Sequence, residues 1–284
     1  MANLAAVIGK PVEHSLSPVM HNAAYKHLNL DWEYRTREVE DGYVQATIKE
    51  MFDGLYQGIN ITMPYKRLAI HVCDTIYGAA LRLGAVNTIV KKDGRLHGYS
   101  TDGDGFIQFL SKNNIDIKDV KVLLIGAGGA ASSICDALFQ AGAKVYLTAR
   151  NAESSIKLAE LINLSNPDSP WKVESVSFDK RNRDVPKCKI IINATPIGMS
   201  ENLGVPIDTD LIDANHIVID TIYHPLETQL IKESKQNGAK VFNGLGMLVH
   251  QGAIAFELMT GEKAPIDVMY KAIDAELTLR EWDS

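Results

Sequence analysis

A glycine-rich segment near the middle of the chain has the residue types and spacing of a phosphate-binding loop. The aliphatic run Val120–Ile125 is followed by Gly126-Ala-Gly-Gly-Ala-Ala131 and then by a helix-forming stretch. Backbone N–H groups at such a helix start, together with the helix dipole, bind a pyrophosphate. The first glycine permits the turn, the second lets the phosphates approach, and Ala131 keeps the helix close to the sheet. We therefore predict a dinucleotide site, with a purely structural turn as the alternative.

The residue after the next strand indicates which dinucleotide this loop binds. Ala143–Ala149 is strand-like, and Arg150 follows it directly. A carboxylate there would accept from the ribose 2′-hydroxyl of NAD, whereas a guanidinium pairs with the 2′-phosphate of NADP. Arg150 therefore favours NADP, the alternative being a solvated surface arginine. Because no second arginine stands in the next turn and Lys157 is the nearest further cation, we predict incomplete discrimination against NAD.

Two hydroxyl side chains near the amino terminus could bind a small carboxylate. Ser15 and Ser17 stand directly before a helical pattern, and Pro18 suits the first position of that helix, so we predict Ser17 at the N-cap. Hydroxyls and the N–H groups of a helix start together favour an anion. Plain capping by Ser17 and a turn at Ser15 are the structural alternative.

A lysine, an amide and a carboxylate follow within the first hundred or so residues. Lys66 comes just after a strand-like run and behind Pro64, which fixes the approach of the chain. Asn87 and Asp102 lie at the two ends of a predicted hairpin. Each of these residues also has an ordinary explanation, since single lysines are mostly surface residues and Asn and Asp favour turns.

These groups must be positioned by an α/β framework. In the first part of the chain strand-like runs alternate with helical patterns. The strands are predicted at residues 4–8, 32–35 and 58–61, and the helices at residues 18–28 and 43–51. Val86–Lys91 and Arg95–Tyr99 flank Asp93-Gly94, which predicts a β-hairpin. After a helix around 105–112 and the glycine loop, we predict further strands at 189–193, 217–220 and 241–242, a surface loop at 164–172 and a helical tail at 246–279.

The composition is that of a globular protein that acts on a small molecule. The 284 residues are long enough for two domains, and 46% are hydrophobic and 23% charged. A net charge of −6 without a basic, aromatic-rich run argues against a nucleic-acid partner. No apolar run approaches the length of a membrane span and no signal peptide is recognisable, so a cytoplasmic protein is expected. Cys73, Cys135 and Cys188 form no metal-binding or disulfide pattern and are predicted to be packing residues, so no metal is expected.

Several of these segments, taken in order, resemble the shikimate dehydrogenase family over nearly the whole chain. They are His14-Ser-Leu-Ser-Pro18, Asn60-Ile-Thr-Met-Pro-Tyr-Lys66, Gly84-Ala-Val-Asn-Thr88, Thr101-Asp-Gly103, Gly126-Ala-Gly-Gly-Ala-Ala131, Asn193-Ala-Thr-Pro-Ile-Gly-Met199 and Gly244-Leu-Gly-Met-Leu-Val-His-Gln251. The resemblance implies reversible reduction of 3-dehydroshikimate by NADPH to shikimate, in aromatic amino-acid biosynthesis. It also implies an α/β substrate domain at 1–104 completed by C-terminal helices at 244–284, a Rossmann-like NADP-binding domain at 105–243, and an active site in the cleft between them. A monomer or homodimer is expected.

The resemblance further implies a role for each matching residue. Lys66 and Asp102 match the catalytic pair; reduction of a ketone needs a proton donor near the new alkoxide, and which of the two carries the proton stays open. Ser15 and Ser17 match the residues that hold the substrate carboxylate, and the rest of the substrate site is matched by Thr62, Asn87, Tyr223 and Gln251. The residues that match cofactor positions are Gly126, Ala127, Gly128, Gly129, Ala130, Arg150, Asn193, Thr195, Gly244 and Met247.

Two departures from the family pattern keep other functions open. The family commonly has Asn-Arg-Thr after the second cofactor strand, where this chain has Ala149-Arg150-Asn151, and Ser100 replaces a usual asparagine. A quinate/shikimate dehydrogenase that uses NAD or NADP is therefore the alternative. A non-catalytic dinucleotide-binding sensor would not need Lys66 and Asp102 together, and a dehydrogenase of an unrelated 2-hydroxy acid would not need the ring-hydroxyl residues.

The histidines His14, His21 and His250 are predicted to be structural hydrogen-bonding or surface residues.

Overall fold

The computed structural model describes residues 2–199 and 202–280. The chain divides into two compact units, one formed by residues 1–105 and 249–284 and the other by residues 106–248. Both boundaries fall within helices. The second boundary comes after residue 248, five residues later than the boundary after residue 243 that the sequence predicted. None of the helices in the described residues is long and apolar enough to cross a membrane.

The first unit is built on a mixed six-stranded sheet with the order β2-β1-β3-β5-β6-β4. The first three strands in this order are parallel, and β5 runs antiparallel to β3 and to β6. Residues 5–8 of β1 are all buried, as expected for a parallel strand covered on both faces. The strands are β1 (Asn3–Gly9), β2 (Trp32–Glu38), β3 (Tyr56–Ile61), β4 (Thr75–Ile76), β5 (Thr88–Lys92) and β6 (Arg95–Tyr99).

Helices from both ends of the chain complete the first unit. They are α1 (Ser17–His27), α2 (Val44–Asp53), α3 (Gly78–Leu83), the start of α4 (Asp102–Lys112), most of α8 (Leu245–Thr260) and α9 (Ile266–Arg280). α9 packs on α1, and the Phe256 ring of α8 stacks on Tyr25 of α1 with centroids 5.2 Å apart. The predicted helical tail is thus two helices, because Gly261 adopts a φ of 76° and ends α8.

The second unit is a doubly wound sheet in which the strands pair in parallel, with the order β12-β11-β10-β7-β8-β9. The strands are β7 (Lys121–Ile125), β8 (Lys144–Thr148), β9 (Glu174–Ser175), β10 (Ile190–Asn193), β11 (Ile217–Asp220) and β12 (Lys240–Phe242), and the helices between them include α5 (Gly129–Gln140), α6 (Ala152–Ser165) and α7 (Gln229–Gln236). The strand order reverses between β7 and β10, which is the point where such sheets bind ligands at their carboxyl ends. This confirms the predicted α/β, Rossmann-like fold.

Candidate active site

A close ion pair joins the two residues that were predicted to be catalytic. Lys66 Nζ lies 2.6 Å from Asp102 Oδ2, and the two side chains are 20% and 10% exposed. Asp102 is the first residue of α4, where the helix dipole stabilises a carboxylate. Its other oxygen, Oδ1, accepts from Asn87 Nδ2 over 2.9 Å. The carboxylate is therefore held from two sides, and the ammonium it binds remains partly accessible.

A run of hydrogen bonds leads from Tyr34 to this carboxylate, and every donor points toward Asp102. Tyr34 donates to Asn60 Oδ1 over 2.7 Å, and Asn60 Nδ2 donates to the Thr88 hydroxyl over 2.9 Å. The Thr88 hydroxyl donates in turn to Asn87 Oδ1, 3.0 Å away. Hydrogen bonds that donate in one direction polarise one another and strengthen the last one. We name this run, Tyr34–Asn60–Thr88–Asn87–Asp102, the donor chain.

The amide of Asn87 is fixed in one orientation by the backbone. Its Oδ1 accepts from the Thr101 N–H over 2.8 Å, so its Nδ2 must face Asp102 and the Thr101 hydroxyl. Sequence reasoning found Asn87 but missed the residues behind it. Asn60 and Thr88 lay inside family-like segments, which was their only signal, and nothing in the sequence singled out Tyr34.

The two serines before α1 are arranged differently from the prediction. Ser17 is the first residue of α1, and Leu16 occupies the N-cap position without a side-chain cap. The Ser17 N–H donates to Ser15 Oγ over 3.2 Å. The N-cap prediction for Ser17 is therefore wrong, because the Met20 N–H already bonds the Leu16 carbonyl and the helix begins one residue earlier than predicted. Both hydroxyls still lie at the start of the helix, and Ser17 is buried while Ser15 is half-buried.

Two further predicted substrate residues lie in the same unit. The Thr62 N–H donates to the Ile8 carbonyl, which places Thr62 directly after β3 and beside the end of β1. Gln251, on α8, lies with its Oε1 3.5 Å from the Thr101 hydroxyl. Gly105 permits this approach, since a Cβ there would collide with the backbone of Gln251. Ser100, which directly precedes Thr101, is also buried.

The glycine loop of the second unit leaves an uncapped helix start facing open space. Gly126 has a φ of 121°, and a Cβ on it would lie 2.5 Å from the Ala194 carbonyl oxygen, so only glycine fits there. Gly128 is the N-cap of α5 without a side-chain cap, and a Cβ on it would meet nothing within 4 Å. Ala131 is fully buried against the sheet. The loop residues Ala127, Gly129 and Ala130 complete a turn whose backbone N–H groups can bind a phosphate.

The cations after β8 have different surroundings. Arg150 is exposed, and within residues 2–199 and 202–280 it forms neither a hydrogen bond nor an ion pair. Lys157 Nζ, by contrast, lies 2.5 Å from Glu153 Oε1 on the same helix. Asn151 caps α6 by accepting from the Ser154 N–H over 3.2 Å. Of the two predicted cations, Arg150 is the one whose charge is not already paired.

Asn193 and Thr195 form a compact turn at the end of β10. Asn193 Oδ1 accepts from the N–H and the hydroxyl of Thr195 over 3.1 and 2.7 Å, and its Nδ2 donates to Asp220 Oδ1 over 3.0 Å. Gly244 donates its N–H to the Ile222 carbonyl. The last two predicted residues of this unit are Tyr223, half-buried after β11, and Met247, packed in the core beneath the sheet. Asp220 was missed because its place at a strand end carried no chemical signal of its own.

His21 and the three cysteines were predicted to be structural residues. His21 is fully buried and stacks on Tyr34 at 4.3 Å, and in the described structure neither of its ring nitrogens has a hydrogen-bond partner. The prediction that it forms structural hydrogen bonds is therefore wrong; burial instead lowers its pKa to about 3 and keeps the ring neutral. The three cysteines are free thiols, and no cluster of metal-ligating side chains occurs in the described part of the chain.

Comparisons with known proteins agree with this arrangement. The family model of the shikimate dehydrogenase substrate binding domain matches residues 7–89, and that of the shikimate 5′-dehydrogenase C-terminal domain matches residues 244–273. A protein of Dehalococcoides mccartyi named shikimate dehydrogenase (NADP(+)) is 39% identical over 281 residues, which are 98% of this chain and 96% of that protein. A crystal structure of a shikimate dehydrogenase in complex with NADP+ superposes with a TM-score of 0.92 at 37% identity, covering 97% of this chain and 96% of the other.

A more distant structure shows how far the fold extends. Quinate dehydrogenase from Corynebacterium glutamicum, in complex with NAD, has a TM-score of 0.90 at 27% identity and covers 96% of this chain and 99% of its own. Its lower identity separates it from the shikimate dehydrogenases, although the fold is the same. Because a shikimate dehydrogenase is 39% identical to this chain over 98% of its length, the chain belongs to the shikimate dehydrogenase family.

Proposed function

We propose that this protein is an NADP-dependent shikimate dehydrogenase that reversibly reduces 3-dehydroshikimate to shikimate in aromatic amino-acid biosynthesis. The observation that carries the proposal is the Lys66–Asp102 pair, 2.6 Å apart and held by Asn87. The names of the relatives, shikimate dehydrogenase (NADP(+)), support the same substrate and cofactor. The proposal places the enzyme in the cytoplasm as a monomer or homodimer, with the first unit as substrate domain and the second as NADP-binding domain.

Lys66 is the proton donor in the direction of reduction. NADPH, when bound, supplies the hydride, and the reduced carbonyl oxygen then needs a proton. The Lys66 ammonium has three protons to donate, whereas an ionised Asp102 carboxylate can only accept. Asp102 holds the ammonium in place, and the donor chain in turn holds Asp102. A correctly placed proton donor typically contributes about 10²–10⁴-fold to the rate.

The start of α1 and the residues around Asn87 bind the two ends of the substrate. Ser15 and Ser17 provide hydroxyls at a helix start, which suits the substrate carboxylate. Asn87 bonds Asp102, and Gln251 lies beside the Thr101 hydroxyl; together with Thr62 these residues provide polar groups for the ring hydroxyls. Tyr223 belongs to the second unit, and its role as a substrate residue stays a prediction.

The second unit fits an NADP molecule at the carboxyl ends of β7 and β8. The open space before Gly128 and the uncapped start of α5 suit the pyrophosphate. Arg150 has no competing partner within the described residues and is available for the 2′-phosphate. Asn193, Thr195, Gly244 and Met247 are proposed to lie at the nicotinamide end.

A quinate/shikimate dehydrogenase that accepts NAD is the second candidate. The observation that favours it is the Glu153–Lys157 ion pair, which leaves Arg150 alone to recognise the 2′-phosphate and places a carboxylate in the first turn of α6. The similarity to a quinate dehydrogenase bound to NAD supports the same alternative. Identity to the shikimate dehydrogenases is higher, so we place this candidate second.

Steady-state kinetics with shikimate and quinate, each with NADP and with NAD, test the proposal. A large preference in kcat/KM for shikimate with NADP supports it, and equal or better turnover of quinate or with NAD favours the second candidate. The variant K66A should lower kcat by about 10²–10⁴-fold while NADPH binding is unchanged. If K66A is as active as the wild type, the catalytic assignment fails, and if neither protein turns over any of these substrates, a non-catalytic dinucleotide-binding role becomes the better explanation.

A further inference from the structure

We propose that Asp220, the last residue of β11, is a positioning residue that fixes the two loops at the carboxyl ends of β10 and β11 for cofactor binding. The inference rests on the proposed function in one respect, namely that a dinucleotide binds at this edge of the second unit. Asp220 is not among the residues to which the proposed function assigns a role.

Three donors converge on the Asp220 carboxylate, one from the end of β10 and two from the loop that follows Asp220. Oδ1 accepts from Asn193 Nδ2 over 3.0 Å and from the Ile222 N–H over 3.1 Å, and Oδ2 accepts from the Thr228 hydroxyl over 2.7 Å. The residue is 0% exposed, and among the described residues no lysine or arginine forms an ion pair with it. Burial accordingly raises the pKa of Asp220, although its three donors oppose the rise.

Burying a carboxylate without a cation costs more free energy than burying an amide. What the carboxylate offers and the amide lacks is a second acceptor oxygen. Asparagine at this position would offer one oxygen and one NH₂ group. Its oxygen could accept from Asn193 and Ile222, but its NH₂ would then face the Thr228 hydroxyl, which could no longer donate to residue 220 and would have to turn its proton away. Only a carboxylate accepts from all three donors at once.

On one side, Asp220 determines the shape of the turn after β10. Because Asn193 Nδ2 is directed at Asp220, Asn193 Oδ1 faces Thr195 and accepts from both its N–H and its hydroxyl. The Thr195 hydroxyl then accepts from the Ile197 N–H over 3.2 Å. The same turn presents the Ala194 carbonyl to Gly126, with no room for a Cβ between them. Asp220 is therefore connected to Gly126, the first residue of the glycine loop, through the single turn that follows β10.

On the other side, Asp220 anchors both ends of the loop that carries Tyr223. The Ile222 N–H fixes its start, and the Thr228 hydroxyl fixes its end. Thr228 is also the N-cap of α7, since its hydroxyl oxygen accepts from the Ile231 N–H. The Gly244 N–H, bonded to the Ile222 carbonyl over 2.9 Å, connects the loop to the residue before α8. The turn that contains Asn193 and Thr195, the backbone at Gly244 and the loop that carries Tyr223 are thus all connected to Asp220.

The test compares D220N with D184N. Asp184 is a matched control because it is a buried carboxylate of the same unit, 3% exposed, whose Oδ1 lies 2.6 Å from Lys187 Nζ in a 3-10 helix that precedes β10 rather than follows it. We expect D220N to weaken NADPH binding, followed by fluorescence titration, and to raise the KM for NADP, each roughly tenfold, because charge-assisted hydrogen bonds are about twice as strong as neutral ones. D184N should leave both within about twofold while changing the thermal midpoint.

A second pair of variants keeps the inference testable if D220N folds poorly. T228V removes one donor and should raise the KM for NADP about threefold, whereas T228S keeps the hydroxyl and should behave as the wild type. Wild-type NADPH affinity in D220N and T228V would overturn the inference, as would equal losses in D220N and D184N. These binding titrations need no turnover, so a wild-type enzyme that binds NADPH but does not oxidise shikimate would refute the proposed substrate without affecting the inference on Asp220.

Discussion

Replacing Tyr34 by phenylalanine removes the first hydroxyl of the donor chain and leaves the packing of the ring unchanged. The lost bond is Tyr34 Oη to Asn60 Oδ1, 2.7 Å long, and both residues are buried. The Asn60 amide cannot turn to compensate, because its Nδ2 already donates to the Asn87 carbonyl and to the Thr88 hydroxyl. Its Oδ1 would therefore lose this donor inside the protein.

The size of the effect follows from that unsatisfied acceptor. A buried neutral hydrogen bond contributes about 0.5–1.5 kcal/mol to stability, and a buried acceptor left without a donor costs about 1–3 kcal/mol. We therefore expect Y34F to lower the free energy of unfolding by about 2 kcal/mol. The neighbouring Tyr25 is an internal control: it is equally buried, and in the described structure its hydroxyl has no hydrogen-bond partner. Y25F should change stability by about zero, or slightly increase it.

Urea unfolding followed by circular dichroism at pH 7 measures both variants. Because both substitutions remove one oxygen from a tyrosine of the same buried cluster, the difference between them isolates the hydrogen bond from the packing. Equal destabilisation by Y25F and Y34F would refute the donor chain as a source of stability. A loss in kcat confined to Y34F, with the KM for shikimate unchanged, would extend its role to holding Asp102, whereas a raised KM would point to Ser17, whose side chain also bonds the Tyr34 hydroxyl.

Two further predictions concern cofactor choice and acid stability. R150A should weaken NADP binding by about 2 kcal/mol or more and leave NAD binding nearly unchanged, because only the 2′-phosphate distinguishes the two; equal losses in the KM for both cofactors would contradict the proposed role of Arg150. Burial lowers the pKa of His21 to about 3, below its unfolded value of about 6.5, so the unfolded chain binds a proton that the folded chain does not. Stability contributed by the neutral ring is therefore fully present above about pH 6.5 and declines by about 1.4 kcal/mol per pH unit as the pH falls toward 3. H21F should flatten this decline in urea unfolding at pH 7 and pH 5, and an unchanged slope would show that another group causes it.

Local turn chemistry explains which parts of the fold were predictable. The Asp93-Gly94 pair specified a hairpin, and the structure shows positive φ values of 52° and 73° at these two residues. Strands β1, β7, β10 and β11 were found because they are short aliphatic runs bounded by turn residues. The helix α6 was not predicted, since Ile156, Leu161 and Leu164 are exposed and obscure its apolar periodicity.

The N-cap prediction at Ser17 failed for a similar local reason. Pro18 is tolerated at either of the first two positions of a helix, so its presence did not decide where α1 begins. The Met20 N–H bonds the Leu16 carbonyl, so Leu16 is the N-cap and Ser17 already lies inside the helix. The prediction that mattered for chemistry, two hydroxyls at a helix start, does not depend on which residue is the cap.

By itself the sequence determined the class of fold, the position of the glycine turn between β7 and α5 and the identity of the polar residues that could act on a substrate, because these depend on residue types and spacing within a few positions. The tertiary structure decided which of those residues share hydrogen bonds. Tyr34, Asn60 and Thr88 come together across separations of 26 and 28 residues, and Asn193 and Asp220 across 27. Asn60 and Thr88 are register partners of the antiparallel strands β3 and β5, and Asn193 and Asp220 are register partners of the parallel strands β10 and β11. Only these pairing registers determine which side chains meet.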